Sequence, residues 1–233
     1  MTCVWRVLIP VDDFSNQIIT GGRVDIFLDG KRANVIKKSG YHVFTDTINE
    51  GILKVSGGGY QRKEITLDHR SDSNKPHYIR LLPDQNDRNC LNAAVFTGNF
   101  RPNQQVCFRF HHPYHPYRIL DAGQGKTQIH IYHDMDTFLE GMCFQIKEGE
   151  KKESFLIEDR METNGEKTHQ FCLDKPLLHS YDPMNCVVKR EYYVDCDKEG
   201  NYFFLIPDRY TDMDNFELET GESVTVIDRR RHD

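Results

Sequence analysis

The stretch VDIFLDGKRANVIKKSGYHVFTDTINEGILKVSGGGYQRKEITL, Val24 to Leu67, decides the fold. Apolar residues recur in four short bursts: Val24-Ile26-Leu28, Tyr41-Val43, Ile52-Val55 and Ile65-Leu67. Gly, Asn, Asp or Ser separates each burst from the next. Successive side chains of a strand point to opposite faces, so short alternating runs punctuated by turn residues predict half-buried antiparallel strands. That is the local grammar of a β-sandwich. The stretch supplies no catalytic group.

Working outward, Val4–Val11 reads as a first strand that carries Trp5 into the core, and a turn-rich connection runs on to Gly22. Tyr78–Leu82 closes the N-terminal unit at Pro83. The next segment is polar, Asn-rich and weakly patterned, which places a domain boundary near Asp84–Gln105. Strand-like runs then resume at Val106–Phe110, Thr127–Tyr132, Met142–Lys147, Glu153–Glu158, His169–Leu173, Cys186–Val194, Tyr202–Ile206 and Ser223–Ile227. Asp134–Glu140 and Asp174–Tyr181 have room for a helix, but both are short. The expected fold is all-β, two β-sandwich domains in tandem: residues 1–84, a connecting segment 85–105, and a longer-looped domain 106–233.

Composition bounds the function. The 233 residues are 38% hydrophobic and 28% charged, and suffice for one or two cores. No run approaches the ~18–20 apolar residues of a membrane helix. MTCVWRVLIPVDDF is interrupted by Arg6 and lacks a basic start and a small-residue cleavage site. The expectation is a strand rather than a signal peptide, and a protein made in the cytoplasm and not bound to a membrane. Seven Cys, an odd number with no CxxC pair, suggest free thiols in a reducing compartment rather than a disulfide framework. Residues 1–103 carry 14 Lys and Arg against 11 Asp and Glu, a net of +3. Residues 104–233 carry 16 against 25, a net of −9, which argues against a nucleic-acid partner.

The N-terminal unit resembles the carboxypeptidase regulatory-like (transthyretin-like) β-sandwich family. The residues that carry the resemblance are Gly40-Tyr41-His42-Val43-Phe44, then Gly51-Ile52-Leu53-Lys54-Val55, then Gly59-Tyr60. Tyr41 and Phe44 are three apart where the family spaces its two aromatics by two. Asp197-Lys198-Glu199-Gly200-Asn201-Tyr202-Phe203-Phe204 is similar to the same family's turn, here with the two-residue aromatic spacing. The resemblance implies a transthyretin-like sandwich that serves as an appended scaffold module, with no catalytic residues to carry over.

Candidate sites concentrate in the second half. His111, His112, His115, His130 and His133 fall within a short window with Asp134 and Asp136, and imidazole with carboxylate is a ligand set for zinc or nickel. Neither His segment has a diagnostic spacing. Tyr114 and Tyr117, beside His112 and His115, offer an aromatic surface for a sugar or a protein, or fold back onto their own domain. Asp134-Met135-Asp136 and Asp212-Met213-Asp214, with Asp208 and Glu217, are acidic loops of a kind that binds calcium. Asp12 and Asp13 form a shorter acidic pair. Asp121-Ala122-Gly123-Gln124-Gly125-Lys126-Thr127 ends like a phosphate-binding loop, but Leu120 stands where Gly is required and TQIHIY continues as a strand. It reads as a hairpin turn.

No nucleophile motif is present, and catalytic residues are not expected. The leading expectation is a non-enzymatic structural or interaction module, docking within a larger assembly, onto a protein partner or onto further copies of itself. A carbohydrate-binding module built on Tyr114 and Tyr117 is the second reading, and a small metal-dependent enzyme at the His cluster the third.

Overall fold

The computed structural model describes residues 6–20, 24–45, 50–67, 76–84, 93–110, 117–132, 139–161, 168–207, 216–218 and 225–228. They form an all-β protein with no helix among them. The strands are β1 (Arg6–Asp12), β2 (Val24–Leu28), β3 (Lys31–Arg32), β4 (Val35–Lys38), β5 (Tyr41–Phe44), β6 (Gly51–Gly57), β7 (Tyr60–Leu67), β8 (Pro76–Leu81) and β9 (Ala93–Asn99). They continue with β10 (Gln105–Phe110), β11 (Arg118–Asp121), β12 (Gln128–Tyr132), β13 (Cys143–Glu148), β14 (Lys151–Met161) and β15 (Thr168–Leu173). The last four are β16 (Val187–Asp195), β17 (Asn201–Pro207), β18 (Phe216–Leu218) and β19 (Thr225–Asp228).

The chain divides into two compact units. The first comprises Met1–Val95 with Phe204–Pro207 and Asp228–Asp233, the second Phe96–Phe203 with Asp208–Ile227. The switch at Val95/Phe96 falls inside the segment expected to be a connection, yet both units are discontinuous in sequence. That segment also contains β9, which belongs to a three-stranded sheet of order β17-β9-β19. Ala94, Val95 and Phe96 are consecutive and all buried, so the strand shows no alternation by which to read it.

In the first unit two four-stranded sheets, β4-β5-β1-β8 and β3-β2-β6-β7, enclose one core. Their pairings are antiparallel except β1 with β8, which is parallel. The alternation read from Val24 to Leu67 supplies Val24, Ile26, Phe44, Leu53, Val55 and Leu67 to this core, joined by Leu8, Ile79 and Leu81. Each such side chain contributes roughly 1.5–3 kcal/mol of apolar burial. Along one side the two sheets are stitched together: Gln61 N donates to Leu82 O at 2.8 Å, Asp84 N to Gly59 O at 2.9 Å, and Lys63 Nζ to Arg80 O at 3.0 Å. The acidic pair at the first turn is structural. Asp12 accepts from Ser15 N at 2.6 Å and from the Tyr60 hydroxyl at 3.0 Å, and Asp13 faces the buried Arg80 at 3.4 Å.

In the second unit a single sheet of order β11-β12-β15-β14-β13-β16-β10-β18 curls over its own core until β11 approaches β16. The core holds Ile119, Ile129, Ile131, Phe144, Ile146, Phe155, Ile157, Phe171 and Val188. Phe108 on β10 packs against Phe96 and Tyr202, with ring centroids 5.8 Å and 5.9 Å apart. The stretch 174–181 is irregular rather than helical. Pro176 interrupts it, Leu177 N donates to Lys126 O at 3.0 Å, and the amides of Leu178 and His179 donate to the Glu153 carboxylate at 2.8 Å and 3.2 Å. Asp121 to Thr127 forms the turn between β11 and β12, with Lys126 N donating to Gly123 O at 3.1 Å.

Candidate functional site

Cross-strand register places one row of apolar side chains on the outward face of the first sheet. Ile36 on β4 stands opposite Val43 on β5, Val43 opposite Val7 on β1, and Val7 opposite Pro76 on β8. Directly paired residues share a face, so the row crosses all four strands. The adjacent row pairs Lys38 with Tyr41. The opposite face of the same strands is the core side, where Leu8, Val35 and Phe44 lie. Water reaches both rows at their β4 end: Ile36 is 56% exposed and Tyr41, in the adjacent row, 40%, while Val7 and Val43 are half-buried. Further along β1 the same face is covered, with Ile9 1% and Val11 0% exposed, so the open apolar part lies at β4, β5 and the start of β1, where a solvated sheet face is ordinarily polar.

The other sheet of the same unit provides the contrast. Its outward face carries Asp25 paired with Arg32 at 2.6 Å, and Glu64 between Lys54 at 2.9 Å and Arg62 at 3.1 Å. The hydrogen bond from Lys54 holds the Glu64 carboxyl below its usual range. Phe27, Gly30, Lys54, Ser56 and Arg62 line a shallow groove of about 220 Å³ there, and Ile52 is exposed on the same face. Apart from Phe27 and Ile52, that face is polar and ion-paired.

Beneath the apolar row, on the core side of β5, lies His42. It is 1% exposed, stands between Leu8 and Lys37, and its Nδ1 has no hydrogen-bond partner among the described residues. Burial, and then the Lys37 ammonium, push its pKa down to about 4 against a smaller opposing pull from Asp25. The ring is therefore neutral at pH 7.

The second unit contains a dense polar cluster that the sequence did not single out. Glu191 on β16 is buried, and its carboxylate accepts four hydrogen bonds. Arg109 Nε and Nη2 each donate to Oε1 at 2.8 Å, Ser154 Oγ donates to Oε1 at 2.9 Å, and the Tyr193 hydroxyl donates to Oε2 at 2.9 Å. Gln145, with its amide oxygen turned to the guanidinium, accepts from Arg109 Nε at 2.9 Å and Nη2 at 3.1 Å. Burial and the neighbouring Glu191 drive the Tyr193 hydroxyl's ionisation upward. Three of these bonds end on Oε1 and one on Oε2. The cluster ties β10, β13, β14 and β16 together.

Cys107 and Cys143 flank this cluster, opposite Tyr193 and Glu191 on the two neighbours of β16. Strands one apart in a sheet lie about 10 Å from each other, beyond disulfide reach. Cys107, Cys143, Cys172, Cys186 and Cys196 are all free thiols.

Of the residues expected to bind, Tyr117 is half-buried against the core, its ring edge-on to Phe144 with centroids 4.8 Å apart. His130 is half-exposed on β12, with Nδ1 4.0 Å from Asp121 Oδ2, and Lys126 Nζ binds the same oxygen at 2.6 Å. That hydrogen bond from Lys126 lowers the Asp121 pKa and occupies the lysine of the apparent phosphate loop. Trp5, His111, His112, Tyr114, His115, His133, Asp134, Asp136, Asp208, Asp212 and Asp214 lie outside the described residues, as does the side chain of Glu217. Among the described residues no three His, Cys, Asp or Glu are placed to hold a metal ion, and no helix is long and apolar enough to cross a membrane. Compared with protein-family models, curated proteins and solved structures, the chain matches none.

Proposed function

We propose that this protein is a non-catalytic interaction module of the transthyretin-like kind, which docks onto a protein partner through the outward face of its β4-β5-β1-β8 sheet. The observation that carries the reading is the exposed apolar row Ile36–Val43–Val7–Pro76. Two further features support it. The positive-φ turns at Gly40 and Gly59 stand before β5 and β7, where the family resemblance puts its glycines. In the second unit the buried Arg109 and Glu191 bond to each other, which suits a structural role for that pair.

Covering Ile36 is worth roughly 1.5–3 kcal/mol if its side chain becomes fully buried. An aspartate there loses that term and must also be desolvated. Affinity purification of the full chain from the cells that make it tests the reading. Ile36→Asp is expected to lose the partner at least about tenfold, the equivalent of 1.4 kcal/mol, with an unchanged melting temperature. An unchanged set of co-purifying proteins would overturn the reading.

A further inference from the structure

The outward face of the first sheet ends at β4, and the two sides of the sandwich differ. On the β7 and β8 side, Gln61, Asp84 and Lys63 stitch the two sheets together. On the other side β3 is two residues long, and the chain crosses to β4 through Ala33, whose N–H donates to Ile26 O at 2.8 Å. β4 is terminal in its sheet, with β5 as its one strand neighbour, and Ile36, Lys37 and Lys38 are exposed. Its outer edge therefore presents main-chain donors and acceptors that no strand of its sheet takes up.

Charge on this edge is one-sided. Lys31, Arg32, Lys37 and Lys38 cluster around β3 and β4. Asp25 takes Arg32 at 2.6 Å and lies 3.9 Å from Lys37, whose ammonium also donates to Val24 O at 2.7 Å. No carboxylate pairs with Lys31 or Lys38 among the described residues. Lysines on an edge strand discourage pairing with a like-charged edge, so a second β4 is a poor occupant. They favour a strand that carries acid. The apolar row beside them asks that strand for an apolar residue on the same face.

The geometry points to β4 as an acceptor edge: we propose that the partner adds an extended acidic strand to it. An apolar side chain of that strand extends the Ile36–Val43–Val7–Pro76 row, and a carboxylate two residues along, on the same face, meets Lys38. Main-chain hydrogen bonds then supply the affinity and alternate side chains the specificity. This rests on the docking reading and adds to it the mode of docking and the chemistry of the partner.

The test uses the full chain and two capped synthetic octapeptides, Thr-Val-Thr-Glu repeated twice (the Val-Glu peptide) and Thr-Val-Thr-Lys repeated twice (the Val-Lys peptide), which set Val and the charge on one face as Ile36 and Lys38 are set on β4, followed by backbone amide exchange and chemical shifts. The Val-Glu peptide is expected to slow exchange at residues 35–38 and to bind at least tenfold more tightly than Val-Lys. Lys38→Glu is expected to reverse that preference. Equal binding of both peptides would overturn the proposal, as would protection located away from β4. Protection of β4 that grows with protein concentration in the absence of peptide would also overturn it, because a second copy would then be the occupant. Failure here is separable from failure of the docking reading. A partner lost on Ile36→Asp, combined with β4 amides that stay unprotected in its complex, would leave the face and remove strand addition.

Discussion

Glu191 and His42 are both buried titratable groups, yet they affect stability in opposite ways. The Glu191 carboxylate accepts four hydrogen bonds, two of them from Arg109, so its removal takes the carboxylate partner from a buried guanidinium. Glu191→Ala is expected to lower unfolding stability by about 3–5 kcal/mol in a denaturant titration, the usual cost of breaking one partner of a buried pair. Tyr193→Phe, which removes one neutral donor to the carboxylate, should cost only about 1–2 kcal/mol. His42 is held neutral, with a folded pKa of about 4 against an ordinary 6.5. Between those values the unfolded chain takes up a proton that the folded chain refuses, so stability falls as pH drops from 6.5 towards 4. The loss is at most about 3 kcal/mol from this group. Denaturant midpoints at pH 7 and pH 5 should converge in His42→Leu relative to the wild type; an unchanged difference would show that other groups carry the acid sensitivity. Neither residue was legible beforehand. Arg109 and Glu191 lie 82 positions apart, and each sits in a strand pattern that reads as solvent-facing. His42 alternates with Tyr41 and Val43, and a one-residue shift of register would expose it.

Single strands were the most legible level, and glycine marked where they turn. Gly40 has φ of +86°, and a Cβ there would lie 3.1 Å from Ile19 O and against the Ile18 side chain. Gly98 on β9 is covered by Tyr202, whose ring would lie 2.7 Å from an added Cβ. Gly98→Ala should therefore cost about 1–3 kcal/mol, the range for overpacking, and most of that cost should vanish in a Tyr202→Leu background. Equal costs in both backgrounds would mean the glycine serves another purpose. The alternation from Val24 to Leu67 located the strands that build the first core, because each has one wet and one dry face. β9 was missed because both its faces are dry. β4 and β11 were missed because they are four residues long, and one is dominated by lysine. The apolar row was invisible for a further reason: Ile36, Val43, Val7 and Pro76 come from four strands, and only pairing register brings them into line.

At the scale of the whole molecule, all-β architecture followed directly from the sequence, whereas the division of the chain did not. A linear reading gives two consecutive domains. The chain instead returns Phe204–Pro207 to the first unit after building most of the second. The candidate loops at 111–116, 133–138 and 208–215 lie outside the described residues, so the docking account stands on the first unit. Its central claim is that one outward face of that unit is occupied in the cell and the other is not. The direct measurement is photo-crosslinking in living cells, with a photoreactive amino acid placed at position 36 or, for comparison, at position 62 on the opposite sheet. The account predicts a discrete adduct from position 36 and none from position 62. Adducts of equal yield from both positions, or from position 62 alone, would contradict it.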